Sequence, residues 1–312
     1  MNNELTEFTA RAERHRHELL VHCYRMMGSY EDAEDMVQET LLRAWRRSDT
    51  YKGEAPFRAW LYKIATNACL DALRRRPRVA ASGGVEVPWL QPFPDQLLDP
   101  PTDDVDAPDA VVVAKETIEL AFLVAIQHLP PRQRAVLLAR DVLDWSAAET
   151  AQLLDLSVAA VNSALQRAHA TMQQNLGARR TDWAPAEPSP DERTVLDGYL
   201  AAHHRGDADA LAALLGDEMR FTMPPQPLVL DGAGFVAMCR DSFTGPRSIG
   251  EYKLVPTRAN RQPAAANYVR PAGAQCFRAL SLDVLRIEQG RIVEVTTFEP
   301  HLFTAFGLPE AL

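Results

Sequence analysis

Arg74, Arg75 and Arg76, with Arg78 just past a proline, close a helical stretch of this 312-residue chain. Guanidinium groups at that density can hold phosphates without reading sequence, or can complement the negative end of a helix dipole. Earlier in the chain, Asp32, Asp35, Gln38 and Glu39 recur at three- and four-residue steps and form one polar, acidic helical face. Such a face either docks on a protein partner or is simply solvated. In the second half, Asn162, Ser163, Gln166 and Arg167 fall on the outer face of another helix, where amide and guanidinium groups suit the edges of DNA bases. General acid–base chemistry would need a facing titratable pair. Asp231, Asp283 and His301 are the candidates, and they form no recognisable motif. Arg220, Phe221, Met223, Phe277 and Arg278 lie on strand-like segments. There they either pack a core or wall a cavity that accepts a small acidic ligand. Cys23, Cys69, Cys239 and Cys276 are far apart with no CxxC pair, which predicts buried thiols and neither a zinc site nor a disulfide scaffold.

The elements that must position these residues follow from periodicity. Leu19, Leu20, Cys23, Met26 and Met27 predict a helix that stops at Gly28, after which Ser29 caps a second helix with an acidic first turn. Val37, Leu41, Ala44 and Trp45 form that helix's apolar stripe. Phe57, Trp60, Leu61, Ile64, Ala68 and Ala72 carry a third helix into the arginines, and Pro77 ends it. In the second half Ser146 and Glu149 make a capping box, and Ser157 opens a longer helix with Val158, Val161, Leu165, Ala168 and Met172 inward. Helix, three-residue turn and helix is a helix-turn-helix, a unit whose second helix fits the major groove or, in other proteins, is only a packed hairpin. Residues 191–312 begin with two helices, place His203 and His204 beside a polar turn where they are expected to be exposed, and then alternate as strands. This is the pattern of an α+β cone with a curved antiparallel sheet. Asp231-Gly-Ala-Gly-Phe235 reads as a loop whose glycines allow close backbone approach.

Charge is distributed unevenly. The net charge of −9 argues against a nucleic-acid partner, yet residues 1–78 carry 14 Lys/Arg against 12 Asp/Glu. The deficit concentrates in 79–109, where Glu86, Asp95, Asp99, Asp103, Asp104, Asp106 and Asp109 stand among six prolines with no Lys or Arg. Repeated proline predicts an extended acidic tether there. A second proline-rich break at 182–190 marks the division 1–80, 81–109, 110–180, 181–190 and 191–312. No apolar run is long enough to span a membrane and the N-terminus is polar, so a cytoplasmic protein is expected, with no membrane partner.

Two dispersed motifs carry a family resemblance. Asp32-Ala-Glu-Asp-Met-Val-Gln-Glu-Thr-Leu-Leu-Arg-Ala-Trp45, Phe57-Arg-Ala-Trp-Leu-Tyr-Lys-Ile-Ala-Thr-Asn67 and Asp71-Ala-Leu-Arg-Arg-Arg76 resemble region 2 of the extracytoplasmic-function sigma factors. Leu129-Pro-Pro-Arg-Gln-Arg-Ala-Val136 through Ala168 resembles their region 4, and residues 191–312 resemble a SnoaL-like, polyketide-cyclase-type domain. The resemblance implies two all-α sigma domains and an α+β SnoaL-like cone. Its partners would be core RNA polymerase, met by Asp32, Asp35, Gln38 and Glu39, and promoter DNA. Tyr51, Lys52, Phe57 and Asn67 would act at the −10 element, where an amide matches a base edge, while Arg74, Arg75 and Arg76 would grip phosphates beside the melted segment. Ser157, Asn162, Ser163, Gln166 and Arg167 would read the −35 element. Asn162 and Ala164 stand where the family often has a basic residue, which implies a different upstream box. The acidic linker would thread the polymerase's nucleic-acid channels or act as a solubilising tether.

Trp89-Leu-Gln-Pro-Phe-Pro-Asp95 resembles the linker motif of members with a fused extension, and Asp231, Gly232 and Gly234 resemble a motif that contacts it. These residues therefore imply regulation in cis rather than catalysis. The expectation is a non-enzymatic alternative sigma factor without cofactor or metal, whose last domain is a possible holder of a small molecule. The competing reading is a helix-turn-helix regulator fused to a SnoaL-like enzyme or ligand sensor that works without polymerase.

Overall fold

The computed structural model describes residues 2–53, 56–76, 87–98, 118–176, 189–245 and 247–312. Two compact units divide the chain: 1–78 with 97–185, and 79–96 with 186–312. Most of the acidic tether, including Asp99, Asp103, Asp104, Asp106 and Asp109, lies outside the described residues, as does Arg78.

The first unit is helical, with α1 (Asn2–Glu13), α2 (Arg16–Met27), α3 (Tyr30–Arg46), α4 (Phe57–Arg75), α5 (Leu120–Gln127), α6 (Pro131–Leu137), α7 (Ala147–Leu154) and α8 (Val158–Leu176). Gly28 ends α2 with φ +74° and donates its N–H to Tyr24 O at 2.7 Å. That left-handed conformation favours glycine, and a Cβ there would also lie only 2.8 Å from the Gln127 amide carbon. Ser29 then caps α3, accepting from Asp32 N–H. Leu19, Cys23 and Met26 of α2, Val37 and Ala44 of α3, and Leu61, Ala65 and Ala68 of α4 are buried together. Removing any large member of that set would cost about 2–5 kcal/mol.

Arg134 ties α6 to this core. Its buried guanidinium donates to Ile126 O at 2.9 Å, Gln127 Oε1 at 2.6 Å, Gln127 O at 2.9 Å and Leu129 O at 3.2 Å, and also to Met26 O. Gln127 Nε2 in turn donates to Arg25 O at 3.2 Å. Carbonyls thus hold the guanidinium in a joint whose neighbours Ala135, Val136 and Leu137 are buried as well.

The second unit holds α9 (Pro190–Arg205), α10 (Ala208–Ala212), β1 (Leu215–Met223), β2 (Gln226–Asp231), α11 (Gly232–Thr244), β3 (Glu251–Ala259), β4 (Gln262–Arg270), β5 (Arg278–Glu288) and β6 (Arg291–Phe298). Its six strands run in the order β2-β1-β6-β5-β4-β3. All neighbours are antiparallel except β1 with β6, so the sheet is mixed rather than purely antiparallel. Helices α9 and α11 cover its concave side, where Tyr199, Phe221, Phe235 and Leu285 are buried together and Phe221 stacks on Phe235 at 5.0 Å.

Two elements differ from the sequence reading. Asp231-Gly-Ala-Gly-Phe235 is the start of α11 and not a loop, because Asp231 Oδ1 accepts from Gly234 N–H at 2.8 Å and caps the helix. Residues 87–98 are anchored within the unit to which each belongs. Phe93 N–H donates to Asn260 Oδ1 at 2.8 Å and Phe93 O accepts from Asn260 N–H at 3.0 Å. Asp95, expected in a free acidic tether, is buried and pairs with Arg258 Nε at 3.1 Å while accepting from Arg261 N–H at 2.7 Å.

Candidate nucleic-acid interface

One face of α4 carries Trp60, Lys63, Ile64 and Asn67 at steps of three, one and three, which puts them side by side. With Arg43 and Arg47 of α3 and its C-cap, and Thr50 after it, they line a cavity of about 280 Å³. Arg43 is fixed by Glu39 at 2.6 Å and Asp71 at 3.0 Å. Burial alone would raise the Asp71 carboxyl, but the Arg43 and Arg74 guanidiniums outweigh it and hold its pKa below the ordinary value. Lys63 Nζ donates to Asp155 Oδ1 at 2.8 Å and Gln152 O at 2.9 Å, at the turn of the helix-turn-helix. An indole face, an amide edge and three cations in one recess are the groups needed to stack a base, read its edge and neutralise its phosphate.

The residues expected at the −10 element divide among several places. Asn67 is in the cavity. Phe57 is only 4% exposed, in an aromatic cluster with Phe8, Tyr51 and Trp60, with the Arg11 guanidinium 4.2 Å from its ring centroid. It is a core residue. Tyr51 is half-buried against Phe57 and Trp60, at 5.2 and 5.3 Å, and Lys52 is exposed. Arg74 and Arg75 are exposed, Arg74 bonding to Asp71, whereas Arg76 is partly buried and ion-paired with Asp32. That pair joins residues assigned by sequence to two separate interfaces.

Sequence reasoning missed Arg43, Arg47, Trp60 and Lys63. Trp60 sat in the apolar stripe of its helix, although its spacing to Lys63 and Asn67 already placed all three on one face.

On α3, Asp35 and Gln38 are exposed and Glu39 is half-buried against Arg43. Trp45, expected inward, is 48% exposed beside Leu42 at 49%. Both line a groove with Gln38, Leu41, Phe8 and Ala12. An exposed apolar pair beside polar residues is more informative than either alone.

In the helix-turn-helix, Ser146 and Glu149 form both bonds of the capping box and Asp155 takes the left-handed turn position. Ser157 accepts from Ala160 N–H at 3.1 Å. Asn162, Ser163, Gln166 and Arg167 are all exposed on α8. Val161, Ala164, Ala168 and Met172 are buried, while Val158, expected inward, is exposed. The burial of Ala164 removes it from any groove-facing set, which leaves Asn162 as the exposed departure from the family pattern.

In the second unit the titratable candidates do not meet. Asp231 caps α11, His301 is exposed 3.8 Å from Glu299, and only Asp283 lies in a cavity wall. His203, expected exposed, is buried against Tyr199 with ring centroids 4.3 Å apart, because its Nδ1 bonds to Tyr199 O at 2.9 Å. His204 is exposed, and its Nε2 accepts from Leu254 N–H at 2.7 Å. Phe221 and Met223 line the cavity; Arg220, Phe277 and Arg278 are not among its walls. Gly232 and Gly234 form the first turn of α11, and Trp89 is half-buried. Cys23, Cys69 and Cys239 are buried thiols and Cys276 is partly exposed. Among the described residues no helix is long and apolar enough to cross a membrane, and no cluster of three metal-ligating side chains occurs.

Residues 12–79 match the family described as Sigma-70 region 2, residues 119–172 match Sigma-70, region 4, and residues 196–295 match the SnoaL-like domain. The chain is 41% identical to the ECF RNA polymerase sigma factor SigG of Mycobacterium tuberculosis over 98% of its own length and 85% of that protein's. It is 32% identical to SigJ of the same organism over 70% of this chain and 64% of that one. The crystal structure of the M. tuberculosis extracytoplasmic function sigma factor SigJ superposes with a TM-score of 0.61 at 22% identity, covering 98% of this chain and 99% of the other, so the two share a fold.

Proposed function

Because the chain belongs to the extracytoplasmic-function RNA polymerase sigma factors, we propose a division of its promoter work among the surfaces described above. The protein is an alternative sigma factor: it binds core RNA polymerase, directs it to promoter DNA and starts transcription, and it is not an enzyme. Its place of work is the cytoplasm. Asp32, Asp35, Gln38 and Glu39 of α3, extended by exposed Leu42 and Trp45, meet the polymerase. Ser157, Asn162, Ser163, Gln166 and Arg167 read the −35 element. Arg74 and Arg75 hold phosphates, with Arg76 joining them when Asp32 releases it. Tyr51 and Lys52 flank the −10 contact, and Phe57 supports it from the core.

The observation that carries this reading is the Asn67 cavity. Extruding a base from its stack costs a few kcal/mol, which a stacking indole and an amide edge can return. Replacing Asn67 with Ala is expected to leave assembly with core polymerase intact and to lower open-complex formation at least tenfold. Equal loss of both in a transcription assay with purified core enzyme would contradict the assignment.

Residues 191–312 act in cis, through Trp89 and the linker docked beside Arg258 and through Asp231, Gly232 and Gly234 at the start of α11. The docked Asp95 supports this. Arg258→Ala in the full chain should change transcription from a cognate promoter, and an unchanged yield would remove the linker contact from the regulatory account.

A further inference from the structure

The cavity between the sheet and helices α9 and α11 encloses about 330 Å³, within the size range of small-molecule sites. Its walls are mostly apolar and aromatic, with Phe221, Met223, Phe235, Met238, Phe243 and Phe298 among them. The polar groups are few and point in one chemical direction. Among the described residues the charged members of the lining are Asp283 and, exposed, Glu299, with no Lys or Arg. An anion would enter against carboxylates with no cation to meet it.

Asp283 is buried and already held by three donors. It accepts from Tyr199 Oη at 2.8 Å, from Asn267 Nδ2 at 2.6 Å and from Thr297 Oγ1 at 2.6 Å. Burial first, and then Asp283, push the Tyr199 phenol well above its ordinary pKa, so it stays a donor. The Asn267 amide is therefore oriented: its nitrogen must face the acceptor-only carboxylate, and its second N–H goes to Ser281 Oγ at 2.8 Å. This leaves Asn267 Oδ1, on a side chain 4% exposed, buried in the wall without a hydrogen-bond partner. A buried orphan acceptor is destabilising until a donor reaches it. His203 adds a second acceptor. Its Nδ1 bonds to a carbonyl and so carries the proton, burial lowers its pKa, and Nε2 is left with a lone pair.

We propose that this cavity binds a small apolar molecule bearing a hydrogen-bond donor and no negative charge, an alcohol, phenol or amine, with Asn267 Oδ1 as the fixed point of recognition. This reverses the acidic ligand expected from Arg220 and Arg278, which are not in the walls. The inference does not depend on the promoter assignments, since it concerns the second unit alone.

The test is calorimetric titration of the full-length chain with four matched probes: 1-naphthylmethanol, 1-naphthylmethylamine, 1-methylnaphthalene and 1-naphthoate. The alcohol or the amine is expected to bind at least tenfold more tightly than both the hydrocarbon and the carboxylate. Which of the two leads tells a neutral donor from a cationic one. In Asn267→Leu the advantage of the donor-bearing probes over 1-methylnaphthalene should shrink to less than threefold. Met238→Trp, which puts a bulkier side chain into the cavity wall at a residue outside the Asp283 hydrogen bonds, should weaken binding of all four at least tenfold and covers the case in which Asn267→Leu does not fold. Naphthoate binding as well as the alcohol, no binding of any probe at millimolar concentration, or unchanged binding in Met238→Trp would each overturn the proposal.

Discussion

Two cavities of similar size, about 280 and 330 Å³, have an asparagine in their walls and opposite charge around it. Asn67 stands among Arg43, Arg47 and Lys63 on a helical face, half-exposed. Asn267 stands beside a carboxylate held by three donors, buried in a sheet. The amide is the same group in both, able to donate and accept. What differs is which half of it the neighbours consume and what sign of field surrounds the remainder. The first recess is lined by cations, two of them paired with carboxylates, and the lining of the second has carboxylates and, among the described residues, no Lys or Arg, so residue type alone does not assign a ligand; the neighbours must be read with it.

The contrast can be broken most forcefully at Asp283. Asp283→Leu orphans three donors and should destabilise the chain by about 3–5 kcal/mol, read from the urea midpoint. Asn67→Ala, in the open recess, should move that midpoint by less than about 0.5 kcal/mol. A smaller difference between the two would erase the distinction between a buried network and a solvated site.

Acid offers the next test, since each unit buries one neutral imidazole. Burial lowers the His22 pKa from 6.5 to about 3, and it lowers that of His203 as well. Below pH 6.5 the unfolded chain takes up a proton that folded His22 refuses, so stability is retained above that pH and lost as pH falls towards 3. The loss attributable to His22 should be about 2 kcal/mol at pH 5. His22→Gln should flatten the stability profile between pH 7 and 5; an unchanged slope would place the acid sensitivity elsewhere.

Two smaller effects sharpen the first recess. Trp60→Ala removes the stacking face, worth about 1–3 kcal/mol per base, and should lower open-complex formation about tenfold with little change in polymerase affinity. Lys63→Gln should flatten the log–log salt dependence of promoter binding by somewhat under one unit. An unaltered slope would mean that Lys63 stays with Asp155 when DNA is bound.

Much of this was legible in the sequence where local rules are strong. The stop at Gly28, the caps at Ser29 and Ser146, and the helix-turn-helix all follow from single residues and short spacings. The two apolar-stripe errors, Trp45 and Val158, share a cause: an apolar side chain at helical spacing satisfies the core pattern whether or not anything covers it. Strand β4 carries little signal in the sequence because it is buried nearly from end to end and shows no alternation. His203 and Asp283 were invisible as neighbours because 80 residues separate them and only the fold lays helix α9 on β3 and β4, where Tyr199 reaches Asp283 of β5. Of the two readings open for Arg220 and Arg278, core packing or the wall of a cavity for an acidic ligand, the second fails because both lie on strands of this sheet but not in the wall.

The anchorage of Phe93 and Asp95 has a mechanical corollary. The chain that connects α4 to α5 also belongs to the last domain for part of its length, so the two helical modules share a rope with a knot in it. Untying residues 87–98 releases at most about 40 Å of slack at full extension. The bonds of Phe93 to Asn260 and of Asp95 to Arg258 and Arg261 together decide whether that length is available.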